Sequence, residues 1–226
     1  MKNNLNTAVE LVIFDMDGLM LDTEPVSKAA WARALDERGY KMHDDLYSGL
    51  LGRNITTANE LMNKYYGEDF EFEPVRKLRG KYVDEHHEKN GVAMKKGLLY
   101  ILDRLDQLGI KKCVATSTNW DRMEKMLREI KVFDRFDGII TGDKVKLGKP
   151  HPEAFLSAAK LVNIDPANCI VLEDSYAGVE AAYLAGMRPI MIPDMLQPDS
   201  VALSRIFAQC ADLQEAAEVI AGLVGK

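Results

Sequence analysis

Cysteine is scarce in this chain, with three in 226 residues at Cys113, Cys169 and Cys210, far apart and forming no C-x-x-C pair. That spacing argues against a disulfide framework or a cysteine-built zinc site and for buried thiols in a reducing compartment. Long apolar runs are missing too: none approaches the ~18 residues a membrane span requires. The polar opening MKNNLNTAVE has no apolar core of the signal-peptide kind. Positive charge is in deficit, 29 Lys plus Arg against 35 Asp plus Glu for a net −6, which argues against a broad nucleic-acid surface. No internal repeat or low-complexity stretch appears. A cytoplasmic protein with no membrane partner and no nucleic-acid partner is the expectation.

What is present is ordinary for a globular chain, with 47% hydrophobic and 28% charged residues. The length suits one large domain or a domain with an insertion. Toward the C-terminus, short apolar runs alternate with longer amphipathic ones. KKCVATST (111–118), FDGIITGD (136–143), CIVLED (169–174) and RPIMIPD (188–194) read as strands. NWDRMEKMLREI (119–130), PEAFLSAAKLV (152–162), YAGVEAAYLAG (176–186) and DLQEAAEVIAGLVG (212–225) read as the helices after them. With LVIFD (11–15), that makes five strands in a parallel sheet covered by helices on both faces, a doubly wound α/β fold.

Residues 23–95 break the rhythm. EPVSKAAWARALDERG (24–39), TTANELMNKYYG (56–67) and EPVRKLRGKYVDEHHEKN (73–90) are amphipathic, and nothing between them resembles a strand. The expectation is an all-α cap domain at 23–95, inserted into an α/β core made of 1–22 and 96–226. The core resumes with the helix KGLLYILDRLDQLG (96–109), closed by Gly109.

In a parallel sheet, ligands bind beyond the carboxyl ends of the strands. The first strand delivers Asp15 and Asp17 there, and the second delivers Thr116, Ser117 and Thr118. The third leads to Gly148-Lys149-Pro150, and the fourth to Glu173-Asp174-Ser175. In extended chain, residues i and i+2 face one side, so Asp15 and Asp17 can address one pocket, while Gly18 lets the backbone turn tightly. An isolated D-x-D-G is better explained by helix capping or a chance loop. Several acids on one edge are another matter, because they repel unless a cation neutralises them, and a hard oxygen-ligated ion such as Mg²⁺ is the natural candidate. Lys149 then supplies charge for an anionic substrate, and the Thr116 hydroxyl suits a phosphate oxygen.

These four stretches resemble the motifs of the haloacid dehalogenase superfamily of phosphohydrolases, in the subgroup with a helical cap after the first motif. FDMDGLMLDTEP (14–25) is similar to its nucleophile motif, ATST (115–118) to its hydroxyl motif, GKPHPEAF (148–155) to its lysine motif and VLEDSYAG (171–178) to its acidic motif. The resemblance implies a strand order 3-2-1-4-5 and an Mg²⁺-dependent phosphatase acting through a phospho-aspartate. Asp15 would be the nucleophile and Asp17 the acid/base. The ion would be held by the Asp15 side chain, the Asp17 carbonyl and the Asp174 side chain, with Glu173 acting through water. Thr116, Ser117 and Lys149 would hold the phosphoryl group. An acid at position 17 also speaks against a carbon–halogen substrate, since the true dehalogenases of the superfamily lack one there.

Substrate choice would then lie in the cap. Arg53 in LLGRNIT (50–56) is the best candidate for reaching over the site, and an ordinary surface arginine is an equal reading. Lys77, Arg79 and Lys81, the His86-His87 pair and Trp31 read more simply as solvated helix surface, exposed histidines and cap core. The expected partner is a small phosphorylated metabolite, and the expected state a monomer. A sugar-phosphate mutase similar to β-phosphoglucomutase is the alternative. Mutases of that kind place a histidine on the first cap helix and an arginine in the cap loop, where this chain has Ser27 and Ile55. A non-catalytic binding protein on the same scaffold is a third reading, which the intact Asp15, Asp17, Lys149 and Asp174 oppose.

Overall fold

A computed structural model describes residues 8–53 and 55–224. The opening residues 1–7 and Gly225, the last residue of the expected final helix, lie outside them. Among the described residues no helix is long and apolar enough to cross a membrane.

The chain begins with strand β1 (Leu11–Phe14) and then leaves the sheet for four helices, α1 (Glu24–Asp36), α2 (Asp44–Leu50), α3 (Ile55–Tyr66) and α4 (Phe72–Asn90). Helix α5 (Leu98–Gln107) returns to the sheet, followed by β2 (Lys111–Ala115), α6 (Trp120–Glu129), β3 (Gly138–Ile140), α7 (Glu153–Leu161) and β4 (Cys169–Glu173). The rest is α8 (Tyr176–Leu184), β5 (Arg188–Met191), α9 (Ser200–Arg205), β6 (Ala208–Gln209) and α10 (Leu213–Val224). All strands are parallel in the order β3-β2-β1-β4-β5-β6. The sequence-based order is therefore right, and the sheet has six strands rather than five. The sixth is two residues long, too short for any period-two pattern to register.

Strand alternation explains the two-sided core. Val12 and Phe14 pack with α5, α6 and α10, while Leu11 and Ile13 pack with α7 and α8. All four are fully buried, each contributing about 1.5–3 kcal/mol of apolar burial. Two of the helices over these faces start on side-chain caps: Asn119 accepts from Arg122 N at 3.1 Å at α6, and Ser175 accepts from Gly178 N at 3.1 Å at α8.

Helices α1 to α4 bury a separate apolar cluster that includes Trp31, Leu35, Met62, Phe72 and Val83. The chain runs to and from them through two neighbouring crossings. Asp22 N donates to Ala93 O at 2.9 Å, and Lys95 N to Met20 O at 2.9 Å. These bonds pair the outgoing and returning strands antiparallel beside Leu21 and Met94.

Candidate active site

The carboxyl end of β1 sits in mid-sheet between β2 and β4, the switch point where a crevice opens. Asp15 is fixed there by its backbone N–H, which donates to Leu172 O at 3.0 Å. The turn after Asp17 needs Gly18 for two reasons. Its φ is +83°, and a Cβ there would stand 2.3 Å from Asp174 Oδ2. Gly178 meets the same demand under the acidic loop, since a Cβ would fall 1.8 Å from the Glu173 carboxyl carbon.

Lys149, 1% exposed, is the ammonium at the centre. It donates to Asp15 Oδ1 and, at 2.6 Å, to Glu173 Oε1. The other Glu173 oxygen accepts from the backbone N–H groups of Asp174 and Ser175 at 3.1 and 3.0 Å and from the Ser175 hydroxyl at 2.9 Å. Glu173 thus holds Lys149 and its own loop. Burial works against the Lys149 ammonium, yet Asp15 and Glu173 together hold its pKa above the ordinary lysine value. Burial also pushes the Asp15 carboxyl up to about 8, with Lys149 pulling down and Glu173 and Asp17 pushing further up. Asp174 is raised as well, by burial and then by the charges of Glu173 and Asp15.

Carboxylates therefore outnumber the one ammonium that faces them. One oxygen each from Asp15, Glu173 and Asp174 lie within 4.8 Å of one another. The Asp174 carboxylate accepts no hydrogen bond among the described residues, although only 5% of the residue is exposed. A buried, all-oxygen, acid-rich set with one unpartnered carboxylate fits a hard divalent cation.

Asp17 stands apart from that acidic set. Its two oxygens accept from hydroxyls, Thr23 at 2.8 Å and Thr118 at 2.7 Å. Thr116, 2% exposed, accepts from Thr118 N at 3.0 Å, which leaves its own hydroxyl hydrogen to donate into the site. The Ser117 hydroxyl instead donates to the Gly52 carbonyl at 3.0 Å and so ties the β2 end to the α2–α3 turn.

Between the sheet edge and helices α1 to α4 lies a cavity of about 220 Å³, lined by Asp15, Asp17, Thr116, Ser117 and Thr118 below and by residues of the four helices above. Arg53 is on its wall. Lys77 and Lys81 are exposed, but Arg79 between them turns inward to the cavity. His86 is exposed and His87 is half-buried on the same wall, while Trp31 is both cap core and cavity lining.

The sequence model of the haloacid dehalogenase-like hydrolases matches residues 12–192. The chain belongs to that family. Among curated relatives of this hydrolase, a phosphorylated carbohydrates phosphatase of Thermotoga maritima is 33% identical over 187 residues, covering 80% of this chain and 84% of the relative. An Arabidopsis thaliana (DL)-glycerol-3-phosphatase is 31% identical over 196 residues, covering 81% and 79%. Among solved structures, a β-phosphoglucomutase from Clostridium difficile superposes with a TM-score of 0.79 at 26% identity, covering 96% of this chain and 97% of that one.

Sequence reasoning passed over several residues that the hydrolase brings to the cavity. Thr23 and Thr118 hold Asp17 from two directions, and Glu24, buried beside them, accepts from the Tyr47 hydroxyl. Burial pushes Glu24 up to about 7. Thr118 was visible at a strand end. Glu24 and Tyr47 gave no signal beyond their helical spacing, and Arg79, a candidate with Lys77 and Lys81 for an anion-binding face, reads in sequence as solvated surface.

Proposed function

We propose that this hydrolase is an Mg²⁺-dependent phosphatase that cleaves a small phosphomonoester through a phospho-aspartate on Asp15, with residues 23–95 acting as the cap over the site. The observation that carries the reading is the arrangement around Lys149: one buried ammonium shared by Asp15 and Glu173, with Asp174 adjacent and Asp17 held separately by hydroxyls.

That arrangement gives two carboxylates different tasks. An Asp15 oxygen attacks phosphorus, the phosphorus–oxygen ester bond breaks, and Asp17 gives its proton to the leaving alkoxide. Asp17 then takes a proton from the water that attacks the phospho-aspartate, so phosphate leaves and Asp15 is regenerated. Lys149 balances the charge of the nucleophile and the phosphoryl group, and the Thr116 hydroxyl donates to a phosphoryl oxygen. Asp15, the Asp17 carbonyl and Asp174 would hold Mg²⁺, which supplies charge neutralisation and orientation of the phosphoryl group. The cavity volume suits a substrate of a few carbons, and the curated relatives include phosphatases of small phosphorylated compounds. Three buried free cysteines fit a reducing, cytoplasmic setting.

The likeness to a β-phosphoglucomutase keeps a mutase as the second reading. Against it, position 27 carries a serine hydroxyl that accepts from Arg79, with no titratable group to move a second proton, and Ile55 is exposed. Incubation with β-glucose 1-phosphate and a bisphosphate primer separates the two. Free phosphate without glucose 6-phosphate is the expected result, and accumulating glucose 6-phosphate would replace phosphatase with mutase. Phosphate release across a panel of phosphorylated metabolites tests the activity itself.

A further inference from the structure

The cap wall of the cavity carries a cation that the protein does not neutralise. Arg79 lies on α4, where one guanidinium nitrogen donates to Ser27 Oγ at 2.8 Å. Its Nε is buried with no hydrogen-bond partner, and among the described residues no carboxylate pairs with it. Arg76, one turn earlier on the same wall, is different: Glu73 grips it at two points, 2.8 and 2.6 Å. Arg122 enters from α6 on the core side, and among the described residues its one ion pair is with exposed Asp84 at 3.4 Å. Burial, and then the charge of Arg122, pull the Arg79 pKa down, so the two cations face each other with too little negative charge between them. Asp17 and Glu24 act on Arg79 only from a distance.

A guanidinium withdrawn from water without an anion is costly, by several kcal/mol in a dry site. Its planar fork of donors matches two oxygens of a carboxylate or a phosphate. The Arg79 guanidinium carbon lies over the Trp31 ring, 5.7 Å from its centroid.

We propose that Arg79, with Arg122 opposite, receives a second oxyanion of the substrate, so that the enzyme selects small phosphomonoesters carrying a carboxylate or a second phosphate at the end away from the scissile ester. The inference rests on the phosphatase reading and names the substrate class of that same site. The same cavity is lined by Asp15 at one end and Arg79 at the other. Its 220 Å³ holds roughly seven waters at about 30 Å³ each, enough for both anionic groups and a short carbon link.

The test compares 2-phosphoglycolate, propane-1,3-diol bisphosphate and the neutral-ended 2-hydroxyethyl phosphate on wild type, Arg79→Met and Arg79→Lys. Charge-assisted hydrogen bonds of this kind are worth roughly tenfold or more in affinity. Wild type is expected to favour one oxyanion-bearing ester by at least about that factor in kcat/KM, and the arm that wins tells carboxylate from phosphate. In Arg79→Met the KM for that ester rises about tenfold or more and the preference disappears, while Arg79→Lys restores part of it. Equal constants for all three esters, or a preference that survives Arg79→Met, would overturn the proposal.

A second measurement is independent of turnover: the thermal midpoint of the Asp15→Asn protein with each compound. Stabilisation by an oxyanion-bearing compound, lost when Arg79→Met is added, supports the subsite, and no difference from 2-hydroxyethyl phosphate overturns it. Should no ester be hydrolysed, p-nitrophenyl phosphate included, the phosphatase reading fails while this binding result still judges Arg79.

Discussion

The sheet edge and the cap face each other across one cavity and handle buried charge in opposite ways. At the sheet edge, Lys149 is closed between Asp15 and Glu173, and Glu173 is in turn bound by two backbone N–H groups and a hydroxyl. In the cap, Arg79 has one serine oxygen and an unpartnered Nε. The first arrangement is complete within the protein and fixes geometry before any substrate arrives. The second is left open toward the cavity. Chemistry that is the same for every phosphomonoester suits the closed network, and recognition of the variable remainder suits the open one.

The largest effect that can break this contrast is at Asp15. Asp15→Asn is expected to lower kcat by about three orders of magnitude or more with the circular dichroism spectrum intact, since a unit-acting nucleophile has no substitute. Substantial remaining phosphate release would sink the covalent assignment. Chelation of divalent cations should silence the enzyme in the same assay, with Mg²⁺ restoring it, and full activity in chelator would contradict the metal reading.

Next comes Lys149→Met, which strands two buried carboxylates. About 3–5 kcal/mol of stability should be lost, read from denaturant midpoints, as for other broken buried pairs. An unchanged midpoint would mean that the network is not closed at all.

Met62→Ala probes the other region, where the side chain is fully buried among α1 to α4. The expected loss is about 2–5 kcal/mol, with amide exchange rising in the cap and staying low in β1, β2 and β4. Exchange rising equally in both would show one cooperative unit in place of two.

Glu24→Gln sharpens the boundary between them. The Glu24 carboxyl is raised by burial from 4.5 to about 7, so the folded state holds its proton more tightly than the unfolded state does. The contribution of Glu24 to wild-type stability is then greatest below pH 4.5 and is lost as pH rises to 7. The variant lacks that decline, and its advantage over wild type should grow across this window by up to about 3 kcal/mol. Parallel stability curves would refute the shift.

The smallest effect is Ser117→Ala, which removes the hydroxyl bond to Gly52 O. A loss of about 1 kcal/mol is expected, with a modest rise in KM. A large drop in kcat would restore Ser117 to the phosphoryl group, the role its motif position suggests.

The same contrast decides what was legible in the sequence. Asp15, Asp17, Thr116 and Asp174 stand just past strand ends, where short apolar runs stop abruptly at polar residues, and Lys149 follows in the loop between β3 and α7, so one-dimensional pattern and three-dimensional placement coincide. The cap residues approach the cavity one per helical turn, and Arg79 in KLRGKY carries the same local pattern as its solvent-facing neighbours Lys77 and Lys81. Only the packing of α4 on α1 decides which of the three turns inward. Helix α2 was hidden for a related reason, because DDLYSGL is short and rich in residues that also make turns. Thr23 reads as a plain linker hydroxyl until its distance to Asp17 is known.

The paired crossings at Asp22–Ala93 and Met20–Lys95 put both attachments of the helical half on one narrow ribbon. Two threads bonded side by side attach the helical half along a single line. Thr23 is the first residue past that line, and its hydroxyl grips Asp17. Asp17, the proposed proton donor, is therefore fastened at the one place where opening and closing would be felt first.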